Sequence, residues 1–354
     1  MSKDNSKTRV LVTGASGYIA SHCVQQLLDL GYKVRGTVRS LKNEVKVQPL
    51  RELKNAVERL ELQEADLNDA DSWLNVVEGC DYVLHVASPF TLDDNETLIP
   101  VAVNGTLNVL KACSKASTVK KVVLTSSCAA VNEGHDEEER TFNEEDWTNI
   151  ESPKVMNYAK SKTLAERAAW DFLKENKDNQ FKLTCLNPTF VIGPLLTNTL
   201  GASITTMKKF LNFEVPGIPP LHMGMVDVRD VARAHILAMQ RPETDGERIL
   251  ITTESWWFKK ICAVLSEEFK SQGYIIPFLP VPYPFVWLYS FISVEAKASL
   301  CRLNRKVVFD NEKSKKLLGL EYRDVRDSII SGAYSLIERD LVPKKSGYRG
   351  PSTD

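Results

Sequence analysis

Neither sign of charge dominates this 354-residue chain: 45 Lys and Arg stand against 46 Asp and Glu, a formal net charge of -1. A general nucleic-acid binder needs a basic face to displace counterions, so the balance argues against that class. No two of the seven cysteines (Cys23, Cys80, Cys113, Cys128, Cys185, Cys262, Cys301) are spaced C-x-x-C, and their number is odd. Neither a disulfide framework nor a zinc site fits that pattern, and scattered reduced thiols suit a cytoplasmic setting. The histidines His22, His85, His135, His222 and His235 lack metal-ligand spacing, so no metal is expected. The acidic run Asp136–Glu139 lacks the regular oxygen spacing of a calcium loop and reads as solvated. Met1–Arg9 is polar and charged, not an apolar signal segment. Long hydrophobic runs are also missing. The most apolar stretch, Ile275–Val294, is broken by Pro277, Pro280, Pro282 and Pro284, so it is expected to be buried or to cover a substrate rather than to enter a membrane. There is no internal repeat and no low-complexity tract.

What is present is an alternation. Short β-branched runs at Val10–Val12, Lys33–Val38, Arg59–Gln63, Tyr82–Val86 and Lys121–Leu124 are separated by amphipathic segments, among them Gly17–Leu30, Ala70–Val77 and Ile99–Ser117. Strands alternating with helices mean βαβ units, a parallel sheet and right-handed crossovers. An acidic, aperiodic stretch, Glu133–Trp147, reads as a loop. A helix over Asn157–Lys174 and a strand over Lys182–Asn187 follow. Beyond Pro188 the alternation loosens, with helices expected at Val228–Met239, Phe258–Phe269 and Val325–Leu341. The fold class is therefore α/β: a Rossmann-type doubly wound parallel sheet with a smaller, mostly C-terminal α/β substrate lobe. Residues 1–188 form the dinucleotide half, to which 225–253 return. Residues 189–224 and 254–342 form the substrate lobe, and 343–354 a tail.

The first strand ends in Val12-Thr13-Gly14-Ala15-Ser16-Gly17-Tyr18-Ile19-Ala20. Gly14 permits a sharp turn, and Gly17 lets backbone approach a pyrophosphate at a helix N-terminus, where exposed N–H groups and the dipole favour an anion. An NAD site places Asp or Glu about twenty residues further on, at the ribose 2′-hydroxyl. Here the second strand ends Thr37-Val38-Arg39-Ser40, and a guanidinium suits a 2′-phosphate. The spacing thus points to NADPH/NADP+, with Lys42 and Lys46 able to add charge. The alternative for Arg39 is a solvated surface charge.

Tyr158-Ala159-Lys160-Ser161-Lys162 opens the long helix, and residues four apart share a helix face. A free phenol, with pKa about 10, exchanges protons poorly at neutral pH. An ammonium beside it is expected to lower that value and make Tyr158 a useful acid or base. Thr125-Ser126-Ser127 and Asn187-Pro188-Thr189 both end strands at the carboxyl edge, where α/β sheets bind ligands. A serine there can hydrogen-bond the same carbonyl oxygen; a capping serine is the plain alternative.

These motifs, with Ala65-Asp66-Leu67, His85-Val86-Ala87-Ser88-Pro89 and the run Tyr158–Glu166, resemble the extended short-chain dehydrogenase/reductases, most closely their dihydroflavonol 4-reductase-like branch. The resemblance spans Val10 to about Leu341. It implies that Ser127 and Tyr158 contact the reacting oxygen and that Lys162 holds the nicotinamide ribose. It implies cofactor contacts from the glycine turn (Gly14, Ser16, Gly17, Tyr18, Ile19), from Asp66 and Leu67 at the adenine, and from Val86, Ala87, Ser88 and Thr125. Arg39 and Lys46 match the residues taking the 2′-phosphate; Pro188, Thr189 and Val191 flank the carboxamide; Ser203 falls where a serine reaches the phosphates. Substrate contacts would be Ser88, Ser127, Asn132 and Tyr158, with His222 a further candidate for the cavity wall. Ala20 stands where a glycine is usual and Cys128 where alanine is. The cinnamoyl-CoA reductase signature Asn-Trp-Tyr-Cys reads Met156-Asn157-Tyr158-Ala159, which disfavours that activity, and Leu195–Gly224 matches no flavonoid enzyme.

The expected reaction is NADPH-dependent reduction of an aldehyde or ketone to an alcohol by a monomer or homodimer whose partner is a small carbonyl substrate. The alternatives are a 3β-hydroxysteroid dehydrogenase or sugar-nucleotide epimerase, and a non-catalytic NADPH-sensing protein.

Overall fold

The computed structural model describes residues 4–89, 95–137 and 139–351, without the side chains of Val294, Glu295 and Ala298. Met1–Lys3, Glu138 of the acidic run and the end of the tail, 352–354, lie outside the described residues. In chain order the strands are β1 (Arg9–Val12), β2 (Lys33–Val38), β3 (Leu60–Glu64), β4 (Tyr82–His85), β5 (Lys121–Thr125), β6 (Glu139–Phe142), β7 (Lys182–Pro188), β8 (Phe190–Ile192), β9 (His222–Asp227), β10 (Arg248–Ile251), β11 (Glu254–Trp257) and β12 (Lys306–Phe309). Seven of them build one sheet in the order β10-β7-β5-β4-β1-β2-β3, and every pair in it is parallel. The order reverses between β1 and β4, which opens a crevice at the strands' carboxyl ends.

The reason these short segments form central strands is that both faces are covered. β5, Lys-Val-Val-Leu-Thr, is buried throughout. In β1, Val10 and Val12 join one apolar cluster while Leu11 joins the other, as the period of two requires. The helices Tyr18–Asp29 and Val228–Gln240 pack together on one face; Leu98–Lys115 and Asn157–Glu175 pack together on the other. Each fully buried Val or Leu here contributes roughly 1.5–3 kcal/mol. The chain leaves the large sheet after β7 and re-enters it with the Val228–Gln240 helix and β10.

A second sheet, β11-β9-β8, stands beyond the carboxyl edge. A third is a parallel pair of β6 and β12, and it corrects the expectation of a plain loop over Glu133–Trp147. Residues 139–142 pair with 306–309, so the strand is made by a partner far along the chain that no local signal marks. The segment Ile275–Val294, expected to be buried or to cover a substrate, is largely not buried, although Phe285, Val286 and Tyr289 line the large cavity. Ile275, Phe278, Leu279, Phe285, Leu288, Phe291 and Ile292 are all exposed. Its prolines leave only one short helix, Tyr283–Tyr289. Among the described residues, no helix is long and apolar enough to cross a membrane.

Candidate active site

The cavity begins at the turn after β1. The Gly14 N–H donates to Thr37 Oγ1 (3.0 Å), and the Ala15 N–H to the Thr37 carbonyl (2.8 Å), which ties the turn to β2. Gly14 adopts φ +65°, and an added Cβ would lie 3.1 Å from Ala87 Cβ, so both conformation and space call for glycine. Gly17 then caps the Tyr18–Asp29 helix with no side-chain hydrogen bond, leaving its first N–H groups for another acceptor. From the end of β2, Arg39 and Lys46 reach the same wall, joined by Ser40 and Asn43; of the residues from 39 to 46, neither Glu44 nor Lys42 is part of it. An uncapped helix end, a close glycine turn and two cations fit a dinucleotide bearing a 2′-phosphate.

The cavity, about 1430 Å³, runs from there to the Asn157–Glu175 helix. Every site residue expected from the sequence lines it: the glycine turn, Asp66, Leu67, Val86, Ala87, Ser88, Thr125, Ser127, Asn132, Tyr158, Lys162, Pro188, Thr189, Val191, Ser203 and His222. Lining does not make their contacts alike. The Tyr18 hydroxyl donates away to the Gly193 carbonyl (2.8 Å), Thr125 Oγ1 pairs with His235 Nε2 (2.6 Å), and Ser203 Oγ donates to the Val191 carbonyl. His222 Nδ1 is 2.9 Å from the Val307 carbonyl, and its ring lies 4.8 Å from that of Trp257. Burial lowers the His222 pKa, so the ring faces the cavity neutral.

Tyr158 and Lys162 stand one turn apart on the Asn157–Glu175 helix, over Ser127 at the end of β5. Lys162 Nζ donates to Ser88 Oγ (3.0 Å). Burial drives the Lys162 ammonium down to about 8, against the opposing pull of Glu166. Burial also raises the Tyr158 phenol above its ordinary value, while a hydrogen bond with the Ser127 side chain and the more distant Arg302 charge pull it back. This corrects the expectation that the ammonium holds the phenol low. Desolvation is the larger effect here, and Tyr158 is a proton-bearing acid at neutral pH.

Sequence reasoning passed over the carboxylate beneath this pair. Glu166, one turn below Lys162, accepts from Ser126 Oγ (2.5 Å), Asn187 Nδ2 (2.8 Å) and Arg248 Nε (2.5 Å). Asn187 Nδ2 also donates to the Ser127 carbonyl (3.1 Å). One buried carboxylate thus fastens the ends of β5, β7 and β10 to the Asn157–Glu175 helix. The run from Tyr158 to Glu166 was the signal that could have found it: 158, 162 and 166 form one stripe. Glu133 and Arg302, also on the cavity wall, were missed as well.

Residues 10–251 match the NAD dependent epimerase/dehydratase family. The chain is 37% identical to cinnamoyl-CoA reductase CAD2 of Medicago truncatula, covering 97% of this chain and 99% of that protein. It is 35% identical to the NADPH-dependent methylglyoxal reductase GRE2 of Saccharomyces cerevisiae, over 93% of this chain and 98% of that one. Yeast Gre2 solved with NADPH superposes with a TM-score of 0.78 at 32% identity, covering 94% and 99% of the two chains. Vestitone reductase from alfalfa gives 0.73 at 28% identity, over 94% and 99%. The chain belongs to the NAD dependent epimerase/dehydratase family, in the dihydroflavonol 4-reductase-like branch of the extended short-chain dehydrogenase/reductases.

Proposed function

We propose that this protein uses NADPH to reduce an aldehyde or ketone to the alcohol. One observation carries the reading: the phenol of Tyr158, the hydroxyl of Ser127 and the ammonium of Lys162 meet on a single cavity whose other end is the glycine turn and Arg39. The names of its relatives point the same way, with reductases of cinnamoyl-CoA and of methylglyoxal among them. The Met156–Ala159 departure favours a free carbonyl over a thioester. Arg39 in place of an acid, and the lack of any observation favouring an epimerase, leave that alternative unsupported.

Bound at this site, NADPH supplies the hydride. Arg39 and Lys46 would hold its 2′-phosphate, and the open N–H groups after Gly17 would take the pyrophosphate. Lys162 would donate to the nicotinamide ribose. Ser127 orients the carbonyl oxygen, and Tyr158, kept protonated by burial, delivers its proton to that oxygen as negative charge develops. Lys162 then steadies the phenolate left behind. Residues 1–188 with 225–253 serve as the cofactor half, and 189–224 with 254–342 as the substrate lobe. A reducing cytoplasm suits the seven free cysteines, and either a monomer or a homodimer serves, since every group named belongs to one chain.

The test is Tyr158→Phe, which keeps the ring and removes the proton. Turnover of a carbonyl substrate should fall by about 10²–10⁴-fold. NADPH binding, followed by fluorescence, should change little. Turnover equal to that of the unaltered protein would remove Tyr158 from the chemistry and the reductase reading with it.

A further inference from the structure

We propose that Arg302, clamped by Glu133, recognises a second oxygen acceptor on the substrate, next to the carbonyl that is reduced. The proposal rests on the carbonyl-reductase reading and names the substrate class it serves: vicinal dicarbonyls and 2-oxo acids over simple aldehydes.

Three observations carry it. First, Glu133 and Arg302 form a two-point ion pair on the cavity wall, Nη2 to Oε1 at 2.8 Å and Nε to Oε2 at 3.2 Å. The Glu133 side chain is 10% exposed and the Arg302 side chain 31%. A pair withdrawn from water to this degree is weak evidence for stability, because desolvation offsets most of the attraction. It does fix a guanidinium in one orientation. Second, the pair uses only one edge of that guanidinium. Among the described residues Nη1 has no hydrogen-bond partner, and a planar donor of this kind suits a carboxylate or carbonyl oxygen. Arg305, also on the wall, has its Nη2 engaged by the Glu137 carbonyl (2.8 Å). Third, the place is next to the chemistry. Glu133 follows the 3-10 turn Cys128–Ala130 that begins at Ser127, and the charge of Arg302 is felt by both Tyr158 and Cys128. Asn132, beside Glu133 in the chain, leaves its Oδ1 buried on the cavity wall without a partner among the described residues. This end of the cavity is therefore polar, whereas Phe285, Val286 and Tyr289 line it with apolar surface elsewhere.

The experiment compares hexanal, 2,3-hexanedione and 2-oxohexanoate as substrates of the full chain with NADPH. Hexanal has no second acceptor, the dione has a neutral one and the oxo acid an anionic one. Arg302→Met should raise KM by about tenfold or more for the dione, the oxo acid or both, the scale of one hydrogen bond to a charged group. KM for hexanal should move less than about twofold, within the range of a lost contact of no consequence. Arg302→Lys should recover part of the loss, and kcat should change little. Which of the two oxygenated probes responds identifies the acceptor as neutral or anionic. Unchanged NADPH binding shows that the variant is folded; if it is not, Glu133→Gln, which frees the guanidinium but keeps its charge, should still raise KM for the oxygenated probes alone. Equal changes for all three probes, or none, overturn the proposal. A dione and an oxo acid turned over no differently by Arg302→Met sink only this proposal, whereas an unaltered protein inert to all three probes sinks the reductase reading beneath it too.

Discussion

The two ends of the cavity are built on different principles. At the cofactor end the wall beside Arg39 and Lys46 is largely backbone: the Gly14 and Ala15 N–H groups tied to Thr37, the Ala87 N–H on Thr13 Oγ1 (2.9 Å), and the uncapped first turn after Gly17. At the substrate end the walls are side chains brought from distant places, with His222 from β9, Arg302 from the C-terminal third and Phe309 from β12. Backbone geometry leaves a short, contiguous signature in sequence, since only a few residues tolerate it. Side-chain walls leave none, because any residue of suitable size can be carried to the place by the fold. The first end is therefore expected to be exacting and the second permissive.

Charge reversal at Arg39 is the largest test of this contrast. Arg39→Glu puts a carboxylate where the 2′-phosphate would lie and supplies an acceptor for a 2′-hydroxyl. The ratio of kcat/KM for NADPH to that for NADH should fall by about 10²-fold or more, the sum of a lost charged hydrogen bond and an added repulsion. KM for the carbonyl substrate should stay within a factor of about two. A substrate KM that rises as steeply as the cofactor KM would mean that the two ends are not separable.

The next test is pH. The rate constant kcat/KM reports groups of the free enzyme. Tyr158 is raised by burial, so it keeps its proton through neutral pH and does not limit the reaction on the acid side. Burial brings Lys162 down to about 8, so raising the pH through that value removes the charge proposed to steady the phenolate. Reduction should therefore fall roughly tenfold per pH unit above about 8. The buried histidines His22, at about 4, His85, at about 3, and His235, at about 4, are neutral throughout this range and add no limb near pH 6. A decline beginning near pH 6 instead would assign the titration to another group and detach Lys162 from the rate.

How far the sequence could be read follows the same division. β1, β2, β5 and the Asn157–Glu175 helix declare themselves through local runs and spacing, and so do Gly14, Tyr158 and Lys162. β6 does not, because Glu139–Phe142 becomes a strand only when residues 306–309 arrive beside it. The Glu133–Arg302 pair is hidden for the same reason: the partners are 169 positions apart. Glu166 stood in plain view on the Tyr158 stripe, yet its importance depends on Ser126, Asn187 and Arg248, which only the folded sheet gathers. The pKa of Tyr158 was misjudged because spacing reveals a neighbouring charge but not the loss of water around it.

The smallest effect lies in the apolar segment, and it separates wall from surface within the permissive end. Phe285 and Phe291 are similarly exposed, 65% and 69%, and both look like free surface by that measure alone. Only Phe285 lines the cavity. Phe285→Ser should raise KM for an apolar aldehyde several-fold, about 1 kcal/mol of lost burial, with KM for NADPH fixed. Phe291→Ser should leave both constants unchanged and alter stability by no more than about 0.5 kcal/mol, as ordinary surface substitutions do. If instead the two variants raise KM equally, the segment acts on substrate as one body rather than through the side chains that touch the cavity, because Phe291 lies off the cavity wall and shares with Phe285 only its exposure and its place in the segment.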